Sequence, residues 1–457
     1  MEEITQRITR ASHEYDQPLA AMQGADMHLL REFNRLLVLN HVRQFGPLTR
    51  VSIAQRLGLS RATVSSIIDV LLHDGMIREG KLLDATPRGG RRAILVHFNA
   101  EVACVLGIDV GRSHLTLLLT NLSADILAQH TCAFYTETGP EQCIPLLITE
   151  IREFIERSKV NWDAISGMGL GIPGPLTSNF QALSSPPHMP GWDNVKIWQT
   201  VHDAFSIPLI IDKDANMGAL AENRCGAGRG HLNLAYIKSG TGIGGGLIFD
   251  AHIYRGHSGS AGEIGHQTID ENGPLCVCGN HGCLETFAGT HAIVADAVHG
   301  TSLLQKQAKA QIQMGEIPMS RERPVQSSST HQESPVKISD ISAVIQAAQQ
   351  GDAACIAAIQ RAGERIGIIL AGLINSFNPS AIVIGGGMIR AGDLLLTPLR
   401  RVAQASSLPI ARCNTTILTS ELGGHAVALG AALSVIDAAF AMPTISPISP
   451  YITHSSL

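Results

Sequence analysis

Three cysteines fall within eight residues, in Cys276-Val277-Cys278-Gly279-Asn280-His281-Gly282-Cys283, and His266 lies ten positions before the first of them. Thiolates and imidazole are the ligands that hold a tetrahedral ion such as Zn²⁺, and four protein ligands leave no position for an activated water. The spacing therefore points to a closed, structural metal site made by Cys276, Cys278 and Cys283 with either His266 or His281. Zinc-dependent hydrolysis is excluded by the same closure. The other cysteines (Cys104, Cys132, Cys143, Cys225, Cys355 and Cys413) are scattered and read as structural thiols.

A second chemistry-bearing group is basic. Pro87-Arg88-Gly89-Gly90-Arg91-Arg92 would place three guanidinium groups on a hairpin tip, where they can contact phosphate or enter a minor groove. Upstream, Ser60 is a good N-cap for a helix from Arg61 to about His73. Its apolar residues Val64, Ile67, Ile68, Leu71 and Leu72 share one face and leave Arg61, Ala62, Ser65 and Ser66 outside. Small polar and basic residues at the start of such a helix suit base edges and phosphates.

These groups need a scaffold, and the neighbouring sequence supplies one. Apolar spacing from Met27 to Phe45 predicts a helix stopped by Gly46-Pro47; Leu48 to Leu57 predicts a second, short one with Thr49 as cap and Gly58 as stop. Residues 76–80 and 93–98 form the arms of a hairpin, so 26–98 reads as a winged helix-turn-helix DNA-binding domain. Charge supports this. The chain carries a net −5, yet residues 1–98 hold thirteen Lys and Arg against ten Asp and Glu, and 43–98 hold nine against four. Residues 1–25, polar and aperiodic, are expected to be a flexible arm.

At 457 residues, with 45% hydrophobic and 16% charged residues, the chain is globular and multidomain. Its 45 glycines suggest an α/β protein rich in tight turns. Strands are predicted at 103–111, 115–119 and 126–128, and a similar meander recurs at 234–238 and 247–249 around Gly240-Thr241-Gly242-Ile243-Gly244-Gly245-Gly246. Two meanders, each followed by α/β sequence, predict a duplicated domain of two lobes with a ligand cleft between them. A disordered insertion is expected at about 304–337 and a loose tail at 441–457. With no apolar run of membrane-spanning length and no signal peptide, the expected location is cytoplasmic.

Over about residues 25–440 the sequence resembles the transcription-factor branch of the ROK family (repressors, open reading frames and sugar kinases). The resemblance rests on the winged helix with Gly89-Gly90-Arg91-Arg92, Gly171-Ile172-Pro173-Gly174-Pro175, Asp214-Ala215-Asn216 and the Gly240–Gly246 run. It rests equally on Ala261-Gly262-Glu263-Ile264-Gly265-His266, the Cys276–Glu285 segment and Ile384-Gly385-Gly386-Gly387. It implies an actin-like (ribonuclease H-like) two-lobed sugar-binding domain over 99–440. It selects His266 as the fourth ligand of a structural Zn²⁺, and it puts Asp214, Glu263, His266 and Glu285 at sugar-contacting positions.

Asp214 also matches the base of the family's kinases. Two departures from those kinases stand out. Lys213 replaces an Asn, and Asp109-Val110-Gly111-Arg112-Ser113-His114 replaces Asp-x-Gly-Gly-Thr-Lys, with Arg112 where a glycine would let backbone approach phosphate. The expected function is thus a sugar-responsive repressor without catalysis, with operator DNA and a sugar or sugar phosphate as partners, acting as a homodimer or tetramer away from the membrane. The alternative is an ATP-dependent sugar kinase with an added DNA-binding domain.

Overall fold

The computed structural model describes residues 2–13, 27–82, 93–177, 179–187, 189–313 and 338–442. At the N-terminus, α1 (Glu2–His13) is followed by α2 (Met27–Phe45), β1 (Leu48–Thr49), α3 (Arg50–Leu57) and α4 (Arg61–His73), then by β2 (Ile77–Leu82) and β3 (Ile94–Phe98). Local chemistry sets these boundaries. Thr49 and Ser52 form a reciprocal capping box at the start of α3, Gly58 ends it at φ 67°, and Ser60 caps α4 by accepting from the Thr63 amide. The strands form an antiparallel sheet in the order β1-β3-β2. Val64, Ile68 and Leu71 of α4 are fully buried beneath it.

The first segment differs from the expected arm. Residues 2–13 form a helix whose Ile4 and Ile8 are buried in one cluster with α2–α4 and the C-terminal helix. Two isoleucines one turn apart make too short a stripe for a stable free helix, so docking supplies what propensity does not. Residues 14–25 lie outside the described residues.

The large domain contains two sheets of the same design. The first is built from β4 (Cys104–Val110), β5 (His114–Asn121), β6 (Ile126–Ala133), β7 (Ile165–Ile172) and β8 (Leu209–Lys213), with α5 (Pro140–Ser158) and α6 (Ile197–Phe205) between its strands. After α7 (Asp214–Arg224), the second contains β9 (Leu234–Ser239), β10 (Ile243–Phe249), β11 (His252–Ile253), then β12 (Ala381–Gly385) and β13 (Thr416–Thr419). The helices α8 (Glu285–Ala288), α9 (Thr290–Gln313), α10 (Ile341–Gln349), α11 (Ala353–Phe377), α12 (Asp393–Ala405) and α13 (Pro409–Arg412) intervene, and α14 (Ala426–Phe440) closes the fold. The strand orders are β6-β5-β4-β7-β8 and β11-β10-β9-β12-β13. In both, three antiparallel strands are followed by two parallel ones. The expected duplication is therefore present. The insertion begins later than expected, because 304–313 continue α9; residues 314–337 and 443–457 lie outside the described residues.

Layering explains the apolar runs. Strands β4 and β7 are buried along their whole length because α5 and α6 cover one face and α14 the other. At Gly107 and Gly169 a Cβ would come within 2.0 and 1.9 Å of the carbonyl oxygens of Ala428 and Ala431, so only glycine lets α14 lie this close. The same helix packs on α7, which in turn covers β9 and β10. Among the described residues Gly423–Phe440 is the one helical stretch apolar and long enough to cross a membrane, and 67% of it is buried within the fold.

Candidate functional site: the interlobe cleft

Strand β8 delivers Lys213 and Asp214 to the mouth of the cleft, where α7 begins. The β4–β5 turn (Gly111-Arg112-Ser113) enters from the first sheet and the β9–β10 turn (Gly240-Thr241-Gly242) from the second. Together with Glu263, His266, Glu285, Gly386 and Arg390 they line one cavity of about 380 Å³. All four residues given sugar-contacting positions by resemblance, Asp214, Glu263, His266 and Glu285, thus border one space.

The carboxylates are held in place by named partners. Asp214 Oδ2 accepts from Lys238 Nζ at 2.7 Å, and Glu263 Oε1 accepts from Lys213 Nζ at 2.8 Å. Lys213, 3% exposed, also donates to the Ala261 carbonyl at 2.6 Å, tying the end of β8 to the second lobe. Glu285 Oε2 accepts from the Ile243 amide at 2.9 Å. Behind them, buried Asp212 accepts from Arg255 Nε and Asn216 Nδ2, both at 2.8 Å, which adds a second tie between lobes.

Burial would push the Lys238 ammonium toward neutrality, yet Asp214 and Asp109 hold its pKa above the ordinary lysine value. For Asp109 burial likewise opposes the charge, but Lys238 and the His114 ring, 3.1 Å away, keep its pKa below the ordinary carboxylate value. Arg112 is half-buried. Burial lowers its pKa against the pull of Glu285 and Glu137, and its Nη1 has no protein hydrogen-bond partner. The cleft can therefore accept hydrogen bonds at carboxylates and offers fixed cations beside them, the donor and acceptor mixture that polyhydroxylated ligands require. Sequence reasoning missed Lys238 and Arg390 as cleft-lining residues, because each sits in an ordinary strand or turn and has no local signature.

Beside the cavity, His266, Cys276, Cys278 and Cys283 bring their ligand atoms within 4.8 Å of one another. Cys276 Sγ lies 3.6 Å from His266 Nδ1, and Cys278 Sγ lies 3.7 Å from Cys283 Sγ. These are about the edge lengths of a tetrahedron around an ion with 2.3 Å bonds to sulfur. The four residues could hold one metal ion. His281 turns away, with Nδ1 facing the Gly273 carbonyl at 3.3 Å.

On the N-terminal module, Arg61, Ala62 and Ser66 are exposed along the outer face of α4, while Ser65 is half-buried. Arg50 braces this face through Asp69 Oδ1 at 2.7 Å and the Ser65 carbonyl at 3.3 Å. Arg88, Arg91 and Arg92 lie outside the described residues. The module joins the large domain at the end of α14: Phe98 meets Phe440 edge to face at 5.7 Å, and Arg43 lies 4.4 Å over the Phe440 ring.

A model of the ROK family matches residues 105–438. The chain is 31% identical over 418 residues to the xylose repressor of Caldicellulosiruptor bescii, which spans 91% of this chain and 98% of that one. The crystal structure of a ROK family transcriptional regulator, a homolog of the E. coli MLC protein, superposes with a TM-score of 0.69 at 26% identity, covering 90% of this chain and 97% of the other. A ROK glucokinase from Streptomyces griseus, solved with glucose and AMPPNP, gives a TM-score of 0.61 at 27% identity. It is covered over 99% of its length but matches only 73% of this chain. With its family match over both lobes and its kinship to a repressor along nearly the full length of each, this chain belongs to the ROK family.

Proposed function

We propose that the protein is a cytoplasmic, sugar-responsive transcriptional repressor of carbohydrate-utilisation genes. In this reading α4 enters the major groove with Arg61, Ala62, Ser65 and Ser66 toward base edges and phosphates, while Arg88, Arg91 and Arg92 form the tip of a wing. The effector is a sugar or sugar phosphate held by Asp214, Glu263, His266 and Glu285. A structural Zn²⁺ on His266, Cys276, Cys278 and Cys283 fixes the His266 ring at the cavity wall. The protein works as a homodimer or tetramer, because such modules read paired half-sites.

The observation that carries this reading is the path from cleft to DNA module. Val427, at the start of α14, and Asp214 both pack at Gly171, and Phe440, at the other end, packs against β3 and α2. Fifteen helical residues span about 22 Å as one rigid body. A ligand that prefers the closed cleft shifts the lobes by its differential affinity, and α14 transmits the shift to the module. Arg112 stands where the kinase pattern has a glycine and the Lys of that pattern is missing, which argues against the positioning and charge stabilisation on which phosphoryl transfer depends. The xylose repressor that matches 91% of the chain favours the same conclusion.

The test is binding to operator fragments from sugar-utilisation genes, read by fluorescence anisotropy across common sugars and their phosphates. One ligand is expected to change operator affinity by about tenfold or more, the usual range of allosteric coupling. ATP-dependent turnover of a sugar, lost in Asp214→Ala, would replace this reading with the kinase.

A further inference from the structure

His130, Cys132 and Glu150 lie on the outer layer of the first lobe, in a separate group from the cluster beside the cleft. Positions 130 and 132 share one face of β6, since side chains alternate along a strand. That face is covered by α5, which carries Glu150. His130 Nε2 is 3.2 Å from Glu150 Oε2, and the Cys132 thiol lies beside this pair. The three ligand atoms lie within 4.8 Å of one another. The His130 and Glu150 side chains are only 26% and 20% exposed, so the group is recessed and is not a chance meeting of surface chains. One turn beyond Glu150, Phe154 stacks on the His130 ring at 6.3 Å and 22°, which fixes the ring's orientation.

We propose that His130, Cys132 and Glu150 form a second divalent-metal site, specific for a thiophilic borderline ion such as Zn²⁺. The donor set excludes hard cations: Mg²⁺ and Ca²⁺ take oxygen ligands, whereas thiolate and imidazole select Zn²⁺ and its neighbours. The 3.2 Å separation of nitrogen and oxygen matches adjacent corners of a tetrahedron with bonds of about 2.0 Å. Three protein ligands leave the fourth corner to water, so this site is open where the Cys276 cluster is closed. Its single thiolate makes it the weaker and more exchangeable of the two. The ion would pin β6 to α5 just before the segment whose Phe134 and Thr136 amides hold the Ser113 and Arg112 carbonyls of the cleft turn.

The experiment is metal stoichiometry on the full chain, dialysed against buffered micromolar Zn²⁺ and analysed by plasma mass spectrometry. About two ions per chain are expected, one from the closed site and one from the open site. Brief treatment with EDTA should remove one of them. His130→Gln and Cys132→Ser should each bind one ion fewer while keeping the wild-type circular dichroism spectrum, and His130→Gln decides if Cys132→Ser fails to fold. With Co²⁺ in place of Zn²⁺, the second equivalent should add sulfur-to-cobalt charge-transfer absorption that is lost in both His130→Gln and Cys132→Ser. A wild-type chain that stops at one ion, or a second ion that persists unchanged in both variants, overturns the proposal. Because none of these readouts involves DNA or sugar, failure here is distinct from failure of the repressor reading.

Discussion

The β4–β5 and β9–β10 turns occupy equivalent places in two sheets of the same topology, each is three residues long, and both line the same cavity, yet they are built of opposite materials. The first is Gly111-Arg112-Ser113, followed by His114, and lines the cleft with side chains. The second, Gly240-Thr241-Gly242, brings bare backbone against Glu285; a Cβ on Gly242 would lie 2.4 Å from its Oε2. The contrast extends one step back along each strand. Asp109 and Lys238 stand two residues before their turns, at equivalent positions, and their opposite charges stabilise one another. A duplicated scaffold has thus diverged at its two symmetric turns. One turn presents side chains to the cleft, the other bare backbone.

Removing one member of the charged pair should have the largest effect. Lys238→Met leaves Asp214 without its ion-pair partner and Asp109 with His114 alone, and breaking such a largely buried pair costs up to about 3 kcal/mol. The pH dependence should change as well. In the wild type the depressed Asp109 pKa contributes stability that is present above the unfolded carboxylate value of about 4 and is lost as pH falls through the folded value. Without Lys238, burial is opposed by His114 alone, so the Asp109 pKa should rise and this acid-side loss should shrink. Urea midpoints at about pH 3 and about pH 6 check this: the midpoint should fall less between them in the variant than in the wild type, and an unchanged profile would mean that the two charges are not coupled.

Next comes the carboxylate between the turns. Asp214→Ala should weaken sugar binding by about 100-fold, the loss of two hydrogen bonds to a charged group, and abolish the sugar's effect on operator binding while basal DNA affinity stays intact. Calorimetry and anisotropy on the same preparation separate the two quantities. At the glycine turn, Gly242→Ala should displace Glu285 and cost about tenfold in sugar affinity, within the usual range for overpacking. A wild-type affinity would show that the space at Gly242 is not needed. The smallest effect is expected at the other turn. Arg112→Gly should alter the affinity of a neutral sugar by less than about threefold, because exposed or half-exposed charges contribute little to neutral ligands. No ATP-dependent turnover is expected to appear in this variant. Its appearance would identify Arg112 as the only barrier to kinase chemistry.

What was legible in the sequence was local. The cap at Thr49, the stop at Gly58, the cap at Ser60 and the buried stripe of α4 all depend on residues within a turn or two of each other, so spacing suffices to place them. The two meanders were legible for the same reason, since hairpin partners are neighbours in sequence. The arm at 2–13 was misread because its helix depends on a surface of α14 more than 400 positions away. The four residues assigned by resemblance to the sugar do border one cavity, but nothing in their spacing requires it.

By itself the sequence determined the local inventory: the helices and hairpin of the N-terminal module, that the domain is doubled, that three thiols and an imidazole are available for a metal, and that the N-terminal module is basic. Only the tertiary structure decided which charges meet. Lys213 could be seen to replace an Asn, but not to ion-pair with Glu263; Lys238 and Asp214 had no visible connection; and Cys132, one scattered cysteine among several, gained His130 and Glu150 as neighbours only when α5 packed on β6. The physical reason is range. Hydrogen-bonded secondary structure is set by neighbours along the chain, whereas ion pairs and metal sites depend on distances of a few ångströms that are fixed only when distant elements pack.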